Sequence, residues 1–353
     1  MNISTKFRQS GLSITELMIA ISISTVLLLG VGIVVQTSKA TYRSQEAQAN
    51  ISENARFALY YLEQDIAAAG FWGCDSNEST GFLTEKNITN RLNAGGNNFI
   101  NFDIGNGLAG VEGALGTPDS IIVQGLSGQP IQAIVDNAGR TLLTSRPVSL
   151  ANETLLALSN CEELEIFQNT AQVTNATNIP HAAGPGINGP GNSASVFSSA
   201  KLGASTTPTA SLYQANQVTY IIAPGAPPGA APGTARNRPS LFRCVNINCA
   251  PGVTPALVAP LLEGVNNIQF TYGEDTNQDG VADRFVPAGT AGLNMANVVS
   301  VNVALTLDSH RINTISTGNQ IASDTSGQRR LNRTIAKTFA VQNRIPLPCL
   351  NCP

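Results

Sequence analysis

Asp275, Asn277, Asp279 and Asp283 set four oxygen-bearing side chains at positions 1, 3, 5 and 9 of one loop, with Gly280 at position 6 and Val281 at position 7. Hard oxygens alternating around a glycine turn are how calcium loops are built. Position 12 is Val286 rather than a bidentate glutamate, and Phe285-Val286-Pro287 reads as extended. The expectation is therefore a short Ca2+ loop of modest affinity. A polar hairpin turn between strands is the competing reading, because Asn, Asp and Gly are turn residues.

The six cysteines, Cys74, Cys161, Cys244, Cys249, Cys349 and Cys352, raise a second chemistry. An even number downstream of an apolar N-terminal run points to disulfides in an oxidising compartment. Short loops favour Cys244–Cys249 and Cys349–Cys352, which leaves Cys74–Cys161. A zinc site from the four thiolates of Cys244, Cys249, Cys349 and Cys352 is the alternative.

Catalysis has little to build on. His181 and His310 are the only histidines, one in a Gly/Pro-rich stretch and one after Asp308 and Ser309. Neither a nucleophile elbow, a P-loop nor a dinucleotide-binding glycine pattern is present. The expectation is a protein that is not an enzyme. No long basic run offers an electrostatic footprint for nucleic acid.

The most constrained residue is Glu16. It is the one charge in Leu12–Val35, a run of 24 residues. As a helix this run is about 36 Å long, enough to cross a bilayer. A lone carboxylate in hydrocarbon costs at least a few kcal/mol, so it calls for a partner. Lys6 and Arg8 precede the run and place the N-terminus in the cytoplasm.

Gly11-Leu12-Ser13-Ile14-Thr15-Glu16-Leu17, ahead of an apolar helix, resembles the type IV prepilin signature. The resemblance implies cleavage after Gly11 by a prepilin peptidase and methylation of the new N-terminus at Leu12. The family most often begins its mature chain with Phe, so Leu12 is a departure. Residues 1–11 are then a leader, and 12–35 the membrane and assembly half of a long helix. Loss of Lys6 and Arg8 takes the formal charge from −3 to −5.

These residues need elements to hold them. Ile51, Ala55, Ala58, Leu62 and Ile66 recur every three or four residues, so the helix continues as an amphipathic half over 36–69 and stops at Gly70. From Leu12 to Ala69 it would be about 87 Å long. Residues 70–353 form a β-rich head. Alternation at Val218-Tyr220-Ile222, Ile268-Phe270-Tyr272, Val299 to Leu307 and Phe339-Val341 predicts half-buried antiparallel strands. Thr170–Thr209 and Ala223–Pro239 are low in complexity and are expected to be exposed loops. The fold class is α+β: a long N-terminal helix packed on an antiparallel β-sheet head with long loops.

A helix that is half anchor and half core is the type IV pilin architecture. Ser52-Glu53-Asn54-Ala55-Arg56-Phe57-Ala58-Leu59 and Gly70-Phe71-Trp72-Gly73-Cys74 look like the PilW family of minor pilins. That resemblance implies a subunit priming a type IV pilus at or near its tip, with Glu16 pairing to a neighbour's N-terminal amine. The implied partners are other minor pilins, the major pilin, the prepilin peptidase, the inner-membrane assembly platform and a large tip adhesin. The implied location is a single pass in the inner membrane with a periplasmic head, then the fibre surface. A type II secretion pseudopilin, and a pilin-anchored adhesin or calcium-dependent binding module, stay open as alternatives.

Overall fold

One helix dominates the computed structural model, which describes residues 13–73, 88–102, 107–136, 141–160, 163–197, 210–225, 238–252, 258–309, 321–323 and 329–345. This is α1, Ile14–Ala67. It starts on a capping box: the Ser13 hydroxyl accepts the Glu16 N–H at 3.3 Å, and the Glu16 carboxylate accepts the Ser13 N–H at 3.0 Å. It ends at Ala68, and Gly70 turns the chain out with φ +72°, a conformation that glycine adopts without strain. The Asn343 amide donates to the carbonyls of Ala67 and Ala69, satisfying acceptors that the helix end leaves open.

The second half of α1 carries the anticipated stripe. Ala47, Ile51, Ala55, Ala58, Leu59, Leu62 and Ile66 are buried. Each fully buried Ile or Leu contributes about 1.5–3 kcal/mol of hydrophobic stabilisation. They face two sheets at once.

The first sheet has five strands in the order β12-β11-β13-β15-β14, all antiparallel. These are β11 (Val265–Glu274), β12 (Arg284–Val286), β13 (Val298–Asp308), β14 (Ile321–Ser323) and β15 (Arg329–Ala340). Ile268, Phe270, Val301, Val303 and Leu305 turn inward onto the helix, as their alternation predicts.

The second sheet is built on two long strands, β3 (Ser120–Val135) and β8 (Ala210–Pro224), paired from Ile121↔Tyr220 to Ala133↔Ala210. Its stalk-side half adds β2 (Leu108–Val111), β9 (Pro239–Val245) and β10 (Leu262–Glu263), and supplies Ile121, Val123, Val218 and Tyr220 to the helix core. Its far half adds β4 (Leu142–Leu150), β5 (Leu155–Ser159), β6 (Leu164–Gln168) and β7 (Val173–Asn178). A short β1 (Ile88–Asn90) pairs with β6 in parallel. Trp72, at the helix exit, is buried with Leu126, Leu155 and Ile166, so it packs the far half onto the end of α1.

The Asn/Gly-rich segment departs from expectation. Over 170–197 it is not simply an exposed loop. It contains β7 and buries Val173, Ile179, Asn192 and Phe197. The Asn192 carboxamide accepts the Gln168 N–H at 2.8 Å and donates to the Gln168 carbonyl at 2.7 Å, pairing with backbone as a strand would. Polar side chains thus replace the apolar pattern that marks ordered structure. Of the second low-complexity stretch, residues 226–237 lie outside the described residues.

Candidate functional site

Every residue from Ser13 to Val35 is exposed, among them Ile14, Met18, Leu28, Leu29 and Ile33 at 65–80%. This half of α1 is long and apolar enough to cross a membrane, with none of its most apolar 18-residue window buried in the molecule. A bare apolar surface of this length is one that could anchor in a membrane. Glu16 sits at its start, and among the described residues its carboxylate accepts from the backbone N–H of Ser13 in its own helix end. Gly11 and Leu12 lie outside the described residues.

The stalk is useful only if its other half is fixed to the head. Three groups do this on the far side of the apolar stripe. Asp65 accepts from Arg243 Nε at 2.7 Å and Nη2 at 2.8 Å, and from the Tyr220 hydroxyl at 2.5 Å. Arg243 also lies 5.7 Å from the Tyr61 ring centroid. Its hydrogen bonds to Asp65 hold the guanidinium charged, while burial, then the Asp65 carboxylate, push the Tyr220 phenol up. Planar two-point recognition fixes orientation as well as distance. Periodicity passes over Asp65 because its partners lie in other elements. The available signal is its place three residues after Leu62, an acid beside a buried stripe.

The acidic loop joins β11 to β12 at the end of the five-stranded sheet next to the helix exit. Asp275 is buried and accepts three loop amides: Gln278 at 2.6 Å, Asp279 at 3.3 Å and Gly280 at 2.7 Å. Asp279 accepts the Val281 N–H at 2.8 Å and the Asn277 amide at 3.2 Å. Asp283 turns to Thr276, whose hydroxyl and N–H hold the carboxylate below the usual range. Among the described residues no three His, Cys, Asp or Glu side chains converge as a metal site. In this arrangement the oxygens serve the loop's own amides, an arrangement that both the turn and the calcium expectation accommodate. Sequence reasoning missed Glu274, whose buried carboxylate binds Arg284 at 2.7 Å and the Asn294 N–H at 2.9 Å and so closes the base of the hairpin.

Cys244 and Cys249 form a disulfide at the end of β9. A disulfide removes two of the four thiolates that the zinc alternative needs. Cys74, Cys161, Cys349, Cys352 and His310 lie outside the described residues. His181 is buried rather than in a flexible stretch. Its ring sits 4.4 Å from that of Phe197, and Nδ1 is 2.9 Å from the Ile179 carbonyl.

A stalk bare along one half and seated in a β-rich head along the other defines the pilin-like class of α+β proteins. Within it, residues 229–343 match the family described as Type IV Pilus-assembly protein W, 115 of the 353 residues. The matched stretch lies wholly in the head and makes the chain similar, over that third of its length, to a family described by its part in type IV pilus assembly. No curated protein and no solved structure matches the chain.

Proposed function

We propose that this chain is a minor pilin that primes a type IV pilus and stays at or near its tip. One observation carries the reading: a single unbroken helix buries one stripe from Ala47 to Ile66 and is bare from Ile14 to Val35. The bare half waits in the inner membrane after cleavage behind Gly11, with Leu12 as the methylated first residue and the head in the periplasm. On assembly it trades lipid for the apolar helices of other pilins. Glu16 gives up its backbone hydrogen bond for the N-terminal amine of a neighbour, an attraction strengthened in a low dielectric. The function is packing and registration, not turnover.

Glu16→Leu tests this in piliated cells. The variant should still fractionate with membranes, because a costly charge is gone. Its recovery in crosslinked complexes with other pilins should fall at least about tenfold, the loss of about 1.4 kcal/mol. Normal recovery would remove the pairing role. Mass spectrometry of the same material should find Leu12 first.

A further inference from the structure

Among the described residues, β15 is paired along most of its length on one side only. Its inner edge pairs with β13 over nine positions, from Ser300↔Ala340 to Asp308↔Asn332. Its outer edge pairs with β14 only at Arg329, Arg330 and Leu331. Among the described residues nothing pairs with that edge from Asn332 to Ala340. Nine extended residues span about 30 Å, and an unpaired edge of that length is a template for another strand.

The edge borders a groove. Between β15 and α1 lies a cleft of 320 Å³, floored by Ala55, Leu59 and Ile335 and flanked by the half-exposed Tyr60. Lys337 stands at its rim, bonded to Glu63 at 2.8 Å and 4.9 Å from the Phe339 ring centroid. Arg56 and Arg333 are exposed beside it and form no ion pair among the described residues. The edge is therefore apolar in its floor and positive at its margin.

That charge decides the occupant. A second copy docked edge to edge would bring a second Arg333 to the same edge, since Lys337 already meets Glu63, and like charges opposed across strands destabilise the pair. We propose that the outer edge of β15 takes up an extended segment of a different subunit by strand addition. The added strand places an apolar side chain opposite Ile335, into the groove, and a carboxylate two residues away opposite Arg333. Small polar residues between them face outward like Thr334 and Ala336. Backbone hydrogen bonds supply affinity, and the groove and Arg333 supply choice. That the partner is another subunit of the pilus rests on the function proposed above.

The test uses the full chain in detergent. The probe is a fluorescein-labelled, threonine-rich peptide of eight residues carrying isoleucine and glutamate two residues apart. Binding should protect amides of residues 332–340 from hydrogen exchange. Arg333→Glu should weaken binding at least about tenfold, and a peptide with lysine in place of glutamate should restore it. No binding at millimolar peptide, protection elsewhere, or indifference to both charge changes would overturn the proposal. Glu16→Leu leaves this edge intact, so failure of the pilin reading shows in cells while peptide binding persists.

Discussion

Arg243 and Asp65 stand 178 residues apart in the chain and share two hydrogen bonds, 2.7 and 2.8 Å long. One belongs to the sheet and the other to the helix, so the pair states where along the head the stalk is seated. Arg243→Ala leaves Asp65 with Tyr220 alone. The site is partly exposed, so the expected cost is about 1–2 kcal/mol rather than that of a fully buried pair. Thermal denaturation of single and double variants with Asp65→Ala should return a coupling energy of that size. Additive effects would show that the two residues do not act together.

The two halves of α1 should answer truncation in opposite ways. Leu62 is fully buried and Leu28 is 69% exposed. Leu62→Ala should destabilise the head by about 2–5 kcal/mol in urea unfolding, through lost transfer energy and the cavity left behind. Leu28→Ala should leave the urea midpoint unchanged. Its effect belongs to membrane retention and assembly.

Acid should weaken the far half of the head. Burial lowers the His181 pKa from its ordinary 6.5 against the hydrogen bond to the Ile179 carbonyl, and the nearby Arg91 charge adds to the lowering against Asp136 and the Ser195 backbone. The unfolded chain then takes up the proton at higher pH than the folded one. The stability contributed is complete above pH 6.5 and is lost as pH falls toward the lowered value. The thermal midpoint should drop between pH 7 and 5.5, and His181→Gln should flatten that slope. His310→Gln is the control, since these are the only two histidines. An unchanged slope in His181→Gln would assign the effect to carboxylates.

The acidic loop separates its two readings by a direct measurement. With Asp275 holding three amides, Asp275→Ala should lower the thermal midpoint by several degrees, the consequence of about 1–3 kcal/mol of unsatisfied donors. Millimolar calcium, measured against a chelator, decides between ion and turn: an unchanged midpoint leaves only the turn. A calcium-dependent rise abolished by Asp279→Ala would instead show that the ion displaces those amides.

Much of this fold was legible in residue order. Ile51 to Ile66 repeat at helical spacing and Val299 to Leu307 alternate, because each set has one apolar face and one neighbour to bury it against. What escaped reading was order made by polar groups. Asn192 completes a backbone pairing through its carboxamide, and Phe197 is buried from within a stretch whose composition suggests exposure. Asp65 escaped for a different reason: a lone acid on a helix says nothing about an arginine 178 residues later. In the acidic loop the spacing of Asp275 to Asp283 fits both an ion and a turn. The placed amides of Gln278 and Gly280 show how the turn is closed, and an ion titration is what separates the two.

The head holds the helix at successive points toward the helix end. Lys337 of β15 meets Glu63, Arg243 meets Asp65, and Asn343, beyond the end of β15, meets Ala67 and Ala69. Tension applied to the bare end of α1 therefore loads the seat in shear. Ile51, Leu62, Ile66 and the Asp65–Arg243 pair must yield together, not one after another as in unzipping. A seat that shares its load in this way resists a pull along the axis far better than its equilibrium stability suggests, while remaining easy to peel from the side.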